Sequence, residues 1–315
     1  TGAPPRLLGL SVATDAVVDD DTSNWLDGDR TYQALAAVRG RYGHLHGGLY
    51  FVHRVQEHQT GGRTRVEVLD AYVHNTLVRG PIRAWFEAEL AGVVGETTYV
   101  SAATEPGPFE IFSSGGVIRA GLNVGDLSAV VESGVASGDN NPFDNKLREF
   151  SFDRSFKVGL LMFSEGLRQT TAVSAYNVAD PTLRGTPPPG IDRIPSGGAV
   201  RGATYVNPRV VWTPSPHFAL YLGYVHAESE EDYTDPFQSG LAGGESRGPF
   251  GAPGQRNLGD EVDVGVATSF GATDGARFKA RLEAGWWRPG SVFQDPEGVA
   301  PGDIKGLTAT MEASW

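Results

Sequence analysis

The sequence predicts a transmembrane antiparallel β-barrel of about twelve strands with long loops at one end. Three observations carry that expectation: apolar and polar residues alternate over segment after segment, the connections alternate short and long, and the composition leaves no room for a helical fold. Of 315 residues 42 are glycine and 20 are proline, both of which weaken helix interiors. The longest apolar run near the middle, Val158–Phe163, is interrupted by Gly159 and falls far short of the roughly 18 residues a spanning helix needs. With 40% hydrophobic and 10% aromatic residues the chain has enough apolar material to fold, which excludes disorder. A soluble β-sandwich is the rival fold.

The last segment is the clearest. Leu307, Ala309, Met311, Ala313 and Trp315 share one face of a strand, and Thr308, Thr310, Glu312 and Ser314 share the other. Ending on an alternating strand with an aromatic residue suits a barrel whose last strand pairs with its first. Just upstream, Phe278, Ala280, Leu282, Ala284 and Trp286 alternate with Arg277, Lys279, Arg281, Glu283 and Gly285. The same pattern returns where Ile82, Ala84, Phe86, Ala88 and Leu90 alternate with Arg83, Trp85, Glu87 and Glu89. It recurs where Val262, Val264 and Val266 alternate with Glu261, Asp263 and Gly265, and where Tyr32, Ala34, Ala36 and Val38 alternate with Gln33, Leu35, Ala37, Arg39 and then Arg41. Segment 64–77 changes phase near Val68 and Leu69, which predicts a bulge. Segments 6–17, 46–57, 110–123, 126–137, 198–213 and 216–227 have strand length with weaker alternation.

Connections supply an independent criterion. Short turns fall at 42–45, 79–81, 124–125, 214–216 and 271–275, and longer polar stretches at 18–30, 58–63, 95–108, 138–197, 228–256 and 288–303. Short and long alternate throughout, as periplasmic turns and extracellular loops do in an outer-membrane barrel. The whole chain, 1–315, is then one barrel domain placed in the outer membrane of a Gram-negative bacterium.

Charge and cysteine content narrow the partners. With 26 Lys and Arg against 38 Asp and Glu the net charge is −12, and no basic cluster stands out, so nucleic acid is not a partner. The absence of cysteine excludes disulfides and thiolate metal sites. A start at Thr1 rather than methionine predicts a removed leader. Expected partners are outer-membrane lipid and lipopolysaccharide, a small hydrophilic solute or polysaccharide, and other outer-membrane or periplasmic subunits.

Residues 138–197 are the largest excursion, with a short helix expected over Val158–Tyr176 from grouped Leu160, Leu161, Phe163 and Leu167. Such a loop either folds into the lumen as a constriction or stands outside as a partner surface. Its run SGDNNPFDNK, followed by FSF and GLLMF, resembles the equivalent stretch of the alginate-export family of outer-membrane channels and their uncharacterised myxobacterial-type relatives. LEAGWWRPGSVF near the end is similar to those proteins too. Together these cover roughly a quarter of the chain, which departs from the family in having fewer strands. The resemblance implies passage of an anionic polysaccharide or another solute through a charged lumen.

Independently of that resemblance, alternation assigns the pore-lining positions. They are Arg39, Arg41, Arg83, Glu87, Glu89, Arg119, Glu261, Asp263, Arg277, Lys279, Arg281 and Glu283, joined by Arg54, Arg65, Glu67, Asp70, Glu132, Arg209 and Glu312. The Arg277, Lys279, Arg281 ladder is the best basic cluster for charge selection. Against it stands a salt-bridged interior in which Asp263 faces Arg281 and Glu261 faces Glu283 or a neighbouring base.

Neither catalytic residues nor a cofactor is expected. The pattern Gly244-Glu-Ser246-Arg-Gly248 matches a nucleophile elbow but lies in a Gly- and Pro-rich stretch without the required strand and helix. No HExxH occurs, His44 and His46 flank a turn, and no partner for a membrane-embedded serine emerges among His53, His74 and His226. Acidic clusters at Asp19, Asp20, Asp21, Asp27 and Asp29, at Asp139, Asn140, Asn141 and Asp144, and at Glu228, Glu230, Glu231, Asp232 and Asp235 are oxygen-rich enough for calcium. They lack the spacing of a calcium loop and are expected to be solvated.

Overall fold

A computed structural model describes every residue except 1–5, 21, 60, 100–107, 140, 142–143, 185–189, 272–276 and 315. Several sequence expectations therefore lie outside the described residues: Asp21, Asn140, the Pro-rich return at 185–189, most of the turn at 271–275, and the terminal Trp315.

One 13-stranded sheet runs the length of the chain. Its strands are β1 (Arg6–Val17), β2 (Arg30–Tyr42), β3 (Leu45–Glu57), β4 (Arg63–Arg79), β5 (Ile82–Thr97), β6 (Phe109–Val124), β7 (Leu127–Ala136), β8 (Lys146–Leu147), β9 (Ala203–Ser215), β10 (Phe218–Ser229), β11 (Asn257–Gly271), β12 (Arg277–Pro289) and β13 (Ile304–Ser314). Every long strand pairs antiparallel with its neighbours, while the two-residue β8 pairs parallel with β6 off the main path. The tight turns after β2, β4 and β6 each need a left-handed residue. Glycine supplies it at Gly43 (φ 62), Gly80 (φ 58) and Gly125 (φ 58).

The outward face is an apolar belt. Leu8, Leu10, Val12, Leu49, Leu90, Phe112, Leu222, Leu307 and Met311 are all exposed on it. In water so large an apolar surface would drive association, whereas in a bilayer it is the lipid-facing side. The buried core lies on the opposite face. There Trp287, Tyr205, Val225, Ala203 and Ala136 pack against Val158, Leu161, Met162, Phe163 and Leu167 of the connection between β7 and β9. The wall curves around this connection, with Phe150 against Gly115 of β6 and Leu161 against Gly306 of β13. The architecture is a transmembrane antiparallel β-barrel. Among the described residues no ladder joins β13 to β1, so the predicted closing pair is not seen and both edge strands are largely exposed.

Some expectations need correction. β9 starts at Ala203 rather than at residue 198, because Gly197 (φ 62), Gly198 (φ 89) and Gly202 (φ 53) turn the backbone left-handed there. The helix is displaced C-terminally: a π-helical turn at Met162–Leu167 leads into α1 (Arg168–Ala179), while Gly159 (φ 66) holds the entering residues in a turn. The register of β4 with both neighbours is continuous past Val68 and Leu69, so there is no bulge. Arg65 and Glu67 consequently face outward with Leu69, near the long-connection end, where Glu67 meets His53 at 3.1 Å and Arg65 at 3.6 Å. Close to the membrane surface such outward charges cost little.

Candidate functional site

Strand register fixes which side chains share a face. Cross-strand partners lie on one side of a sheet, so the pairs Arg39/Gly48, Gly48/Tyr72, Tyr72/Glu89, Glu87/Arg119, Arg119/Glu132, Gly223/Arg209, Gly223/Asp263 and Asp263/Gly285 run as one surface from β2 to β12. On this inner face the structure places Arg39, Arg41, Arg83, Glu87, Glu89, Arg119, Glu261, Asp263, Arg277, Lys279, Arg281 and Glu283. Their distribution along the strands separates them into three groups.

The basic group lies next to the short connections. Arg41 and Arg39 precede the turn after β2, Arg83 follows the turn before β5, and Arg277, Lys279 and Arg281 open β12. All six are exposed, and among the described residues only Arg281 has a carboxylate partner, Glu283 at 3.9 Å.

At mid-height an ion-pair belt crosses five strands. His74 Nδ1 lies 3.5 Å from Glu87, Arg119 donates to Glu87 at 2.8 Å and to Glu132 at 2.6 Å, and Arg209 donates to Glu132 at 3.2 Å. The Tyr205 hydroxyl donates to the other Glu132 oxygen at 3.0 Å, and Glu132 is almost fully buried. The Arg119 guanidinium lies 5.1 Å from the centre of the Phe156 ring. Beside it a cavity of about 190 Å³ is bounded by Tyr72, Glu87, Glu89, Arg119, Phe150, Phe152 and Phe156. Glu89 faces it as an exposed carboxylate, and no ion pair to it is present among the described residues.

Toward the long connections the inner face is occupied. The π-helical turn has no side-chain cap of its own, and Glu261 of β11 takes that role from the wall. The N–H groups of Leu160 (2.5 Å) and Leu161 (2.8 Å) donate to its Oε1, and that of Met162 (2.7 Å) to its Oε2. Small residues make room for the segment: a Cβ at Gly166 would overlap the Trp287 ring, and one at Gly285 would stand 3.0 Å from Leu161. The cross-strand neighbours of Glu261 and Asp263 are Trp287 and Gly285, not Glu283 and Arg281, so the salt bridging expected between these strands does not form.

Sequence reading missed Tyr205, Trp287, Tyr72 and the Phe150, Phe152, Phe156 cluster. Part of their signal was present as small inner-face residues: Gly115 faces Phe150 and Phe152, Gly134 faces the Tyr205 ring, and Gly285 and Gly306 face Leu161.

The acidic loop residues are held by nearby donors. Asp20 meets Arg54 at 2.6 Å, Asp139 and Asp144 meet Arg148 at 3.5 and 2.9 Å, and Glu231 meets Arg256 at 2.8 Å. Asp235 caps α2 (Pro236–Leu241) by accepting from the Gln238 N–H. Ser246 lies in the connection after that helix and contacts Thr234, with neither strand nor helix around it to form an elbow.

No protein-family profile and no curated protein matches the chain. Solved structures similar to it include OccK5 of Pseudomonas aeruginosa, at 10% identity over 91% of this chain and 71% of that one, with a TM-score of 0.41. The outer membrane protein OprD of the same organism is similar at 10% identity over 91% and 64%, with a TM-score of 0.44. CdiB of Escherichia coli is similar at 11% identity over 98% and 50%, with a TM-score of 0.43. Likenesses this distant carry no weight for function, and the barrel assignment rests on the sheet, its register and its outward apolar belt.

Proposed function

We propose that the protein is a porin-like channel of the bacterial outer membrane that favours anionic hydrophilic solutes. The observation that carries this reading is the group of six exposed inner-face cations beside the short connections, five of them without a carboxylate partner among the described residues. A mouth of one sign raises the local concentration of oppositely charged solutes and lowers their cost of entering the pore. The aqueous path runs along the inner faces of β1 to β5 and the β12 ladder, because the upper inner face from β6 to β12 is covered by the β7–β9 connection. An anionic polysaccharide is the finer candidate, since ladder charges about 6.5–7 Å apart can hand successive carboxylates along. Outside, lipid and lipopolysaccharide contact the apolar belt.

The covered upper face also favours a second reading, a structural or partner-binding barrel subunit of a larger assembly. Conductance of the purified protein in planar bilayers separates the two. Discrete openings with an anion-preferring reversal potential, blocked by an anionic oligosaccharide, support the channel. A folded protein that inserts without openings and co-purifies with other subunits supports the scaffold.

A further inference from the structure

We propose that Glu261 is the positioning residue that holds the 158–167 segment across the lumen and thereby sets the width of the pore. The inference rests on the channel reading for its consequence, and on the geometry for the latch itself.

Glu261 is completely buried, about a hundred residues from the segment it holds, and it takes three consecutive backbone N–H groups at 2.5–2.8 Å. Those donors belong to the start of a helical turn, where backbone N–H groups have no intrahelical acceptor and the helix end is partly positive. The carboxylate and the donors therefore satisfy each other. Among the described residues no cation pairs with Glu261 or with Asp263, which is 5% exposed two positions along the same face. With no cation to replace them, the segment's N–H groups are the neutralising partner, and losing either side leaves buried polar groups unmatched. Gly159 reinforces this: a Cβ there would stand 2.8 Å from the Glu261 carboxylate, and its φ of +66° disfavours any side chain. Leu161 seats against Gly285 and Gly306, so the latch and the seat lie on adjacent strands.

Because the chain contains no cysteine, a single engineered thiol reports on the segment cleanly. Met162, fully buried, is replaced by cysteine and labelled with a water-soluble maleimide in the folded protein, alongside single-channel conductance. Glu261→Gln presents one amide NH2 to a row of donors, and Gly159→Ala breaks the same contact from the segment side with the wall intact. Each is expected to raise the Met162→Cys labelling rate at least tenfold and to increase conductance. A disulfide between Leu161→Cys and Gly285→Cys should restore the smaller conductance in the Glu261→Gln background until dithiothreitol is added, because a Cβ at position 285 would stand 3.0 Å from the Leu161 Cγ, where a cysteine sulfur would lie. A Glu261→Gln protein that folds with Met162→Cys protected and conductance unchanged overturns the proposal. If Glu261→Gln does not fold, Gly159→Ala decides by the same two readouts. Should the unaltered protein not conduct, the channel reading falls while the labelling still tests the latch.

Discussion

Reversing the charge of Arg281 should convert part of the anion preference into cation preference, by an amount the structure allows to be worked out. Arg281 and Lys279 lie two residues apart on the same face, so an anion held at Lys279 feels Arg281 from about 7 Å. The Arg281 side chain is 60% exposed, which makes the dielectric of water appropriate. The interaction is then about 0.6 kcal/mol, and screening at 0.1 M salt reduces it to roughly 0.3 kcal/mol. Arg281→Glu changes its sign, which costs an anion about 0.6 kcal/mol and favours a cation by the same amount, so the anion-to-cation permeability ratio should fall roughly sevenfold. Reversal potential in a salt gradient reads that ratio directly. An Arg281→Glu channel with normal conductance and unaltered selectivity would show that the ladder does not face the conducting path.

Three further outcomes follow from the packing and the electrostatics. Leu282→Arg puts a charge on the outward face and should cost roughly 2–4 kcal/mol near the bilayer midplane, read as folding yield into liposomes. If it is tolerated while Arg281→Glu abolishes folding, the two faces are assigned the wrong way round. Trp287→Ala should cost about 3–5 kcal/mol in urea unfolding. The ring is buried, donates from Nε1 to the Leu258 carbonyl at 3.2 Å and meets Phe293 edge-on at 5.0 Å, and a cost below 1 kcal/mol would contradict that packing. Acid should release the 18–29 loop. Burial pushes the Asp20 carboxyl up, but hydrogen bonds from Arg54 and the Thr22 N–H, together with the Arg54 charge, outweigh it and hold the carboxyl below its ordinary value. A depressed carboxylate stabilises the folded loop above the unfolded value near 3.9 and loses that contribution as pH falls through the folded value. Amide protection in the loop, corrected for intrinsic exchange, should hold from pH 7 to about 4.5 and decline below about 4. Loss near pH 6 would point to another group.

What was legible in the sequence was the part governed by period two. The alternation in β5, β11 and β12 predicts which residues meet lipid, because a side chain's face follows from parity once one neighbour is known. Arg65 and Glu67 broke the pattern because outward charges are tolerated at a strand's end, so polarity alone misled there. The fate of the long connection was hidden for a different reason. Leu160, Leu161, Phe163 and Leu167 state only that something apolar must cover them, and the residue that settles where they go is a charged one, Glu261, in a strand about a hundred residues away. By polarity Glu261 is indistinguishable from a pore-lining carboxylate. Only the three N–H groups it faces make it a structural cap.

The most direct test of the account is a cysteine scan along β12, with single substitutions from Phe278 to Glu283 in protein folded into lipid vesicles. The inner positions Lys279, Arg281 and Glu283 should react with a water-soluble maleimide. The outer positions Phe278, Ala280 and Leu282 should be protected from it and react with a lipid-soluble one. A strict alternation of the two reagents establishes one face in water and the other in lipid, while equal aqueous labelling at all six positions would contradict the membrane-spanning barrel and the channel built on it.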